Sequence, residues 1–554
     1  MFTDNKILIG KSDDRDIFIY PRMANRHGMI AGATGSGKTI SLKVLAESFS
    51  DCGVPVFLAD VKGDLAGMCM EGTREENVAS RVESMGLAEY GFTFQKYPVN
   101  FWDVYGEKGL PLRTTISEMG PLLLARILDL NEIQSDILTV IFKIADDEGL
   151  LLIDTKDLRS MLQYVGEHAK ELSLTYGNIS KQSLGAIIRA VIALESEGAD
   201  QFFGEPALNI NDWLCTDNTG RGMIQILDCQ KLIHFPTMYA TFLLWMISEL
   251  FETLPEAGDR DKPKMVFFFD EAHLLFNSAS KVLLERIEQV VKLIRSKGVG
   301  IYFITQSPKD IPDGVLAQLG NKIQHSLHAY TPAEQRAAKA AAVSFRENPA
   351  FDTYEALTSL GIGEALISVL DENGVPTIVE RGNVLPPQSR MGAISDEVRE
   401  RENKNNLLYS RYAEMFDRDS AYEFLQRKRL ADDEAAVRAE EEKIRAREEA
   451  AAQKLREKEE AAAMRQQERE AAAAMRQKER EEAAAQRQRE RDEAAKSRAM
   501  KSTISKVAGS AAGTLGREVG NSLGKSVGGS FGKRVGGNVG ASLGRGLLQT
   551  IFKL

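Results

Sequence analysis

Short runs of apolar residues recur through the first 330 positions of the chain and stop at polar or glycine residues, and longer segments with helical spacing separate them. Continuous apolar runs of this length are typical of strands buried on both faces, and their alternation with helices is typical of a parallel α/β sheet. The best strand candidates are Gly28–Ala31, Val54–Ala59, Met223–Leu227, Met265–Phe269, Gly300–Thr305 and Lys322–Leu327.

The pattern changes to helical periodicity between residues 111 and 205. Apolar residues there, notably from Leu122 to Phe142, recur at three- to four-residue spacing. This spacing places them on one face of a helix. We therefore expect a helical insertion at about 111–205.

A stretch rich in Gly and Pro, Asp371–Arg390, follows the last of these strand candidates. It includes a strand-like segment at Thr377–Glu380 and then Pro386-Pro387, residues that are typical of turns and edges. We expect this stretch to close the globular domain over its own edge, so the domain is assigned to residues 1–395.

The composition changes to Ala, Glu, Arg and Gln from about Leu425 to Met500, without Gly or Pro, as is typical of one long charged helix. Triple alanines recur every eleven residues, at 450–452, 461–463, 472–474 and 483–485. Eleven residues make three turns, which keeps one face nearly straight, and Glu/Arg pairs four residues apart support the helix. We assign 396–500 to a solvated spacer helix, on the order of 100 Å long at about 1.5 Å per residue. A strong coiled coil is disfavoured because large apolar seam residues are few.

Glycine recurs every fourth residue near the end of the chain, within 501–554. These glycines are Gly516, Gly520, Gly524, Gly528, Gly532, Gly536, Gly540 and Gly544. In a helix they would form a groove of small residues that lets another helix approach closely. The segment is basic, with Glu518 as its one acid among the repeats, so self-association or binding to an anionic membrane is one interpretation. A flexible tail is the other, because glycine costs about 1 kcal/mol per helical position.

Composition narrows the possible partners. With 554 residues, 43% of them hydrophobic, and a net charge of -10, the chain has a sizeable core but no global basic field. Contact with nucleic acid would therefore need a local patch. Four scattered cysteines argue against a disulfide framework or a zinc site. The longest apolar run, Thr241–Phe251, is too short to span a bilayer and no signal peptide is evident, so we expect a cytoplasmic protein.

The strongest chemical motif lies between the first candidate strand and an apolar helical segment. It comprises Gly32, Ala33, Thr34, Gly35, Ser36, Gly37, Lys38 and Thr39. Glycines let such a loop present its backbone N–H groups to phosphates, and the following helix directs its positive end at the same anion. Lys38 is expected to bridge the β and γ phosphates of ATP, and the Thr39 hydroxyl to bind Mg²⁺.

A second acidic motif ends the strand Met265–Phe269. Asp270 suits the magnesium shell, and Glu271 is placed to polarise the attacking water as a general base. The alternative is an acidic pair at the start of a helix. His273, two residues on, either couples the site to its surroundings or is an ordinary packed histidine.

Three further residues are candidates by position alone. Gln306 follows the strand Gly300–Thr305 and is expected to sense the γ phosphate, with a strand-end cap as the alternative. Arg295 is a candidate arginine finger that enters a neighbouring subunit's site, or else a solvated helix charge. Asp60 is placed to orient Lys38 or water, and a capping or turn role before Gly63 is its competitor.

Four motifs taken in order resemble the HerA branch of the FtsK/HerA ATPases, in particular bacterial HerA-like proteins of the YjgR type. They are Asn25-Arg26-His27-Gly28, Ala59-Asp60-Val61-Lys62-Gly63-Asp64, Asp270-Glu271-Ala272-His273 and Arg295 followed by Thr305-Gln306-Ser307-Pro308. The resemblance covers roughly residues 1–390. It implies a RecA-like core, a hexameric ring with sites between subunits, and ATP-driven movement of double-stranded DNA through a central pore.

The resemblance also assigns roles. It implies that Lys38 and Thr39 bind nucleotide, that Asp270 and Glu271 serve magnesium and water, that Arg295 acts in trans and that Gln306 senses phosphate. Only about 27 residues precede the first candidate strand, too few for the N-terminal β-barrel of HerA itself. The leading hypothesis is an oligomeric ATPase motor on DNA. The alternatives are an ATPase that acts on protein or membrane assemblies through its C-terminal segments, and an ATP-binding structural protein.

Overall fold

The computed structural model describes residues 1–13, 15–258, 260–278 and 281–498. The strands, β1 to β13 in chain order, are Phe2–Thr3, Lys6–Lys11, Asp16–Ile19, Gly28–Ala31, Val56–Asp60, Val99–Asp103, Leu110–Pro111, Ile224–Asp228, Met265–Phe269, Val299–Thr305, Asn321–Gln324, Glu364–Ser368 and Glu380–Val384. The helices, α1 to α17, are Lys38–Asp51, Glu76–Ser84, Ile116–Ile127, Glu132–Asp147, Thr155–Glu167, Ala169–Tyr176, Lys181–Ser196, Ala199–Phe202, Pro236–Thr253, His273–Ser278, Lys281–Ile294, Asp313–Leu316, Pro332–Val343, Thr353–Ser359, Asp396–Lys404, Tyr409–Tyr412 and Ala421–Arg498.

One sheet organises the domain, in the order β1-β2-β13-β12-β11-β4-β10-β9-β5-β8-β6-β7, with β3 paired to β2. Eight strands that follow one another in the sheet are parallel, namely β11, β4, β10, β9, β5, β8, β6 and β7. The strands on the other side of β11 are antiparallel. The predicted α/β fold with a parallel sheet is confirmed.

Each face of the sheet packs against helices, which explains why the central strands are continuously apolar. Alternate side chains of β5, such as Val56 and Leu58, pack with helix α1. The intervening side chains, Phe57 and Ala59, pack with α9 and the helical segment. A strand covered in this way gains from apolar residues at every position.

The segment 111–205 contains the six helices α3 to α8. Side chains define where several of them begin. The side chains of Thr115, Asn131 and Asp154 each accept a hydrogen bond from a backbone N–H of the first turn. In return, the side chain three positions later accepts from the backbone N–H of the capping residue. Such capping boxes satisfy orphan donors and fix the first turn. The helical periodicity there predicted the element type correctly.

Two predicted strand positions were wrong in detail. The strand expected at Lys322–Leu327 ends at Gln324, and beyond it the backbone continues to bond the glycine-rich loop, with the Ala33 N–H donating to the Ser326 oxygen at 2.8 Å. The strand expected at Thr377–Glu380 lies instead at Glu380–Val384, and its sequence, Glu-Arg-Gly-Asn-Val, has no apolar run to reveal it. Strand β6 was also missed because it carries Asn100, a buried side chain that donates to Gln225 Oε1 at 3.1 Å.

The chain divides into two compact units, Met1–Ala436 and Val437–Leu554. The first unit therefore runs past the boundary expected at 395. Residues 396–420, expected to belong to the spacer helix, hold the short helices α15 and α16, and α17 begins at Ala421. Asp157 fixes that start by accepting from Ser420 Oγ at 2.6 Å and from the Tyr422 backbone at 2.8 Å.

In the second unit, the charged segment is helical to Arg498, and its side chains are exposed from residue 437 to 491. The predicted tail 501–554 lies outside the described residues. Among those that are described, no helix has both the length and the apolar character needed to cross a membrane. The four cysteines are free.

Candidate nucleotide-hydrolysis site

The loop between β4 and α1 is built around glycine. Gly35 and Gly37 have left-handed φ angles of 79° and 112°, which residues with a Cβ adopt at a cost. A Cβ at Gly32 would lie 2.6 Å from the Cβ of His325, whereas one at Gly35 would meet nothing within 4 Å. The loop is thus packed tightly on its inner side and open on its outer side. This cradle fits a phosphate group.

Lys38 is the first residue of α1 and is almost fully buried. Its Nζ donates to the backbone oxygens of Gly32 at 2.7 Å and Ala33 at 3.0 Å. Burial lowers the pKa of Lys38. Thr39 follows at the helix start, half-buried, where unsatisfied backbone N–H groups collect. The ammonium and the helix start therefore face the same loop.

A buried histidine that no sequence motif indicates packs beside the glycine-rich loop. His325 lies just beyond β11, with Nε2 2.8 Å from Ser41 Oγ and Nδ1 2.9 Å from the backbone oxygen of Glu364. Burial lowers the pKa of His325 to about 4, so the imidazole is neutral at pH 7. Only the pairing of β11 with β4 brings it to the loop, and no local pattern signals that pairing.

The acidic motif lies at the end of β9, two strands from β4 in the sheet. Asp270 is buried, and burial followed by the charge of Glu271 raises the pKa of Asp270 to about 6. Glu271 has a left-handed φ of 46°, and its backbone N–H donates to Asp270 Oδ1 at 2.9 Å. Such a conformation in a residue with a Cβ is uncommon and clusters at functional sites.

Three side chains lie around the Glu271 carboxylate, and two of them, Lys62 and Gln306, hydrogen-bond to it. Lys62 Nζ lies 2.7 Å from Oε1. On Oε2, Gln306 Nε2 lies 3.4 Å away and His273 Nδ1 3.2 Å away. Burial raises the pKa of Glu271, but the hydrogen bond and charge of Lys62 outweigh it, and the net result is a lowered pKa. The structure thus brings Glu271 and Gln306 together, as their proposed roles require.

The Asp60 side chain hydrogen-bonds to the loop that follows β5. Its carboxylate accepts from the backbone N–H of Gly63 at 2.7 Å and of Leu65 at 3.1 Å. Burial, and then the charge of Asp64, raise the pKa of Asp60 to about 7. These contacts correspond to the turn role rather than to the orientation of Lys38 or water. Their effect is to fix the backbone that carries Lys62.

Arg295 lies at the opposite edge of the sheet from the glycine-rich loop, Glu271 and Gln306. It precedes β10, whose start is at the amino edge of the parallel strands, whereas the glycine-rich loop, Glu271 and Gln306 follow the carboxyl ends of theirs. Its side chain is exposed and lies close enough to His27 to contribute to that residue's lowered pKa, after burial. Arg295 is therefore absent from the site of its own chain.

The groups at the carboxyl edge can bind a phosphate anion, hold a divalent cation and remove a proton from water. In open α/β sheets this edge is the usual place for ligands. A cleft of about 260 Å³ adjoins the loop there and is lined by Ala33, Thr34, Gln306, Ser307, Leu327, His328, Glu334 and Ala337. Lys62 is the functional candidate that the sequence motif contained but to which no role could be given.

Comparison with known proteins gives two relatives that are described as helicases. The DNA double-strand break repair helicase HerA of Sulfurisphaera tokodaii is 23% identical over 386 residues, 66% of this chain and 67% of the relative. The probable helicase MJ1565 of Methanocaldococcus jannaschii is 34% identical over 110 residues, 20% of each chain.

Among solved structures, the bacterial conjugative coupling protein TrwB matches with a TM-score of 0.45 and 13% identity, over 70% of this chain and 92% of that one. VirB4 of Thermoanaerobacter pseudethanolicus matches with a TM-score of 0.41 and 16% identity, over 69% and 97%. The family model described as "Helicase HerA-like C-terminal" matches residues 5–536. The chain belongs to the family of HerA-like helicase C-terminal proteins.

Proposed function

We propose that this P-loop ATPase is an oligomeric motor that uses ATP and Mg²⁺ to translocate along or unwind double-stranded DNA. The observation that carries the proposal is the convergence of Lys38, Asp270, Glu271 and Gln306 at one edge of the sheet in a HerA-like chain. A binding protein without turnover would not need a buried carboxylate held next to the phosphate loop.

The phosphate loop supplies binding. The backbone N–H groups of Gly32–Gly37, the start of α1 and the Lys38 ammonium together offset the negative charge of the triphosphate. Thr39 and Asp270 are the residues that would hold Mg²⁺, and the donor set of a hydroxyl and a carboxylate suits that ion. When bound, the ion offsets charge on the phosphate oxygens. The Lys38 contacts with its own loop carbonyls must open for Nζ to reach a phosphate.

Glu271 supplies the base. Its carboxylate accepts a proton from the attacking water, and Gln306, 3.4 Å from Oε2, orients the water or the γ phosphate. The lowered pKa of Glu271 keeps the carboxylate ionised at pH 7. Asp60 contributes indirectly by fixing the loop after β5.

Oligomerisation completes the site. The Arg295 side chain is exposed at the opposite edge of the sheet from Lys38, so its charge reaches a phosphate only in a neighbouring subunit. We propose a homo-oligomer, a hexamer by family resemblance, in which Arg295 enters the adjacent site as an arginine finger.

Double-stranded DNA is the proposed partner, supported by the family and by the relative described as a DNA repair helicase. The test is the ATPase rate with and without duplex DNA at about 50 and 200 mM salt, with Lys38→Ala as the inactive control. We expect stimulation by DNA that weakens at the higher salt. An active enzyme with neither stimulation nor salt-sensitive DNA binding would refute the DNA motor.

A cytoplasmic motor on protein or membrane assemblies is the second candidate, because the sequence has a basic glycine repeat in 501–554. Deletion of those residues would then release the protein from anionic vesicles or from higher assemblies. Unchanged sedimentation with vesicles and unchanged oligomer size would exclude this role.

A further inference from the structure

Of the three side chains around the Glu271 carboxylate, Lys62 lies nearest, at 2.7 Å between Nζ and Oε1. The two partners differ in exposure: the Glu271 side chain is 8% exposed and the Lys62 side chain 44%. Lys62 therefore has access both to the buried carboxylate and to the open space around the site. This combination allows the ammonium to change partner without rebuilding the core.

The backbone that carries Lys62 is fixed from two sides. Asp60 accepts from Gly63 and Leu65, and Gln230 Nε2 donates to the Lys62 backbone oxygen at 2.8 Å. Gly63 has a left-handed φ of 78°, and a Cβ there would lie 1.9 Å from the same Gln230 nitrogen. A long, flexible side chain is thus presented from a rigid turn. Its range of motion is set by the side chain alone.

A carboxylate held in this way is a weak base. Lys62 occupies Oε1 and offsets its charge, and Gln306 and His273 lie beside Oε2. Proton abstraction needs an oxygen that is free to accept from water. While Lys62 is in place, Glu271 is ionised, but Oε1 is occupied and its charge is offset, so the carboxylate is a poorer base.

Lys38 and Lys62 carry like charges at this edge of the sheet. Burial chiefly lowers the pKa of Lys38, the charge of Glu271 opposes this, and the charge of Lys62 adds to it. An anion placed near both would offset this repulsion and compete with Glu271 for Lys62. The γ phosphate of ATP is such an anion, and the loop that carries Lys38 is built to bind it.

We infer that Lys62 is a positioning residue that senses the triphosphate: it holds Glu271 in the nucleotide-free enzyme and moves to a phosphate oxygen when ATP binds. The carboxylate oxygen Oε1 is then free to accept the proton of the attacking water. Hydrolysis is in this way prevented until the γ phosphate is in place. This inference rests on the proposed ATPase site and not on the identity of the DNA cargo.

The first test compares nucleotide affinities of the full chain without DNA. Lys62→Met removes the charge and keeps much of the length, and Lys62→Arg keeps the charge. We expect Lys62→Met to bind a non-hydrolysable ATP analogue at least about tenfold more weakly than the wild type, because the variant cannot contact the γ phosphate and cannot offset the charge of Glu271 near it. ADP affinity should stay within about twofold. Lys62→Arg should restore most of the analogue affinity.

The matched control is Lys170→Met, at an exposed lysine of helix α6. It should leave both affinities unchanged. Equal weakening of ADP and analogue by Lys62→Met, or no weakening of either, overturns the inference. Because no DNA is present, this comparison gives a result even when the DNA motor itself is refuted.

The second test is the pH dependence of turnover. Five charged or titratable groups interact electrostatically with Glu271, namely Lys38, Lys62, Asp270, His273 and Tyr239. The acid limb of kcat/KM reports the free enzyme and that of kcat the bound complex. Lys62→Met should move the kcat/KM limb to higher pH by about one unit or more, because an opposite charge is lost, and move the kcat limb less. Equal movement of both limbs would mean that Lys62 never leaves Glu271.

Discussion

Glu271 combines three properties at the scale of a single residue: burial, a left-handed backbone and a lysine partner. The conformation costs on the order of 1–3 kcal/mol, so it persists because the surrounding contacts hold it. Asp270 offers one such contact by accepting from the Glu271 N–H. This geometry aims the carboxylate at the edge of the sheet where the glycine-rich loop lies.

Glu271→Gln is expected to lower kcat by about 10²- to 10⁴-fold, because the amide cannot accept the proton of the attacking water. ATP affinity should be retained or increase, because Lys38 and the loop are intact and Lys62 no longer pairs with a carboxylate. The measurements are steady-state ATPase rates and equilibrium binding of a non-hydrolysable analogue. Glu171→Gln, at an exposed position of α6, is the control. Turnover of Glu271→Gln at the wild-type rate would remove Glu271 from the role of base.

The sequence singles out candidate site residues but not the contacts between them. Lys38 and Glu271 are local motifs whose chemistry follows from spacing. The contact of Lys62 with Glu271 joins residues 209 positions apart, and His325 reaches Ser41 across 284. Such contacts depend on strand order, which a single sequence does not specify. The left-handed φ of Glu271 was also unpredictable, because glutamate carries no local preference for it.

At the scale of elements, His27 connects three of them. It precedes β4, accepts at Nδ1 from the Ile301 N–H of β10 at 3.0 Å, and donates from Nε2 to the Val291 oxygen of α11 at 2.9 Å. The contact at Nδ1 requires the neutral imidazole, because a protonated Nδ1 cannot accept a hydrogen bond. Burial, and to a lesser degree the charge of Arg295, lower the pKa of His27 to about 4.

This pKa predicts acid sensitivity. The folded state binds fewer protons than the unfolded state between about pH 6.5 and pH 4, so the free energy of unfolding should fall as the pH is lowered through that range. His27 would contribute on the order of 3 kcal/mol to the fall. His27→Asn does not titrate, so it should be less stable than the wild type at pH 7 but lose less on acidification.

Urea unfolding of both proteins at several pH values between 4.5 and 7.5 measures the two slopes. Contributions from Asp60 and Asp270, whose raised pKa values act in the opposite direction, cancel in the comparison. Equal slopes for wild type and His27→Asn would show that His27 does not titrate with folding.

Elements with one strong periodicity were predictable, and those with mixed patterns were not. Strand Met265–Phe269 matches its prediction residue for residue, because both of its faces are covered by apolar neighbours. Strand Glu380–Val384 alternates between exposed and buried positions and contains no apolar run. Its pairing with β12 and β2 is visible in the structure but not in the local sequence. The charged helix was recognised by composition. Its true start, at Ala421, depends on Asp157, a residue of the helical segment.

At the scale of the whole molecule, the separation of Arg295 from Lys38 has a direct consequence. In the proposed oligomer, a complete site needs the loop of one subunit and the arginine of the next, which is a head-to-tail interface. Lys38→Ala lacks a working loop but still offers Arg295 to its neighbour. Arg295→Ala has an intact loop and lacks the arginine. Each variant alone should form assemblies with little or no ATPase activity.

Mixing the two variants should restore activity, because some interfaces then pair an intact loop with an intact arginine. Random assembly at equal amounts makes about a quarter of the interfaces competent. The measurement is the ATPase rate after co-purification, with size-exclusion chromatography to verify that both variants assemble. Mixing Lys38→Ala with Glu271→Gln, two defects in the same subunit's site, is the control and should restore nothing. A normal ATPase rate of Arg295→Ala alone, or no gain in co-assembled mixtures, would exclude Arg295 as the trans residue.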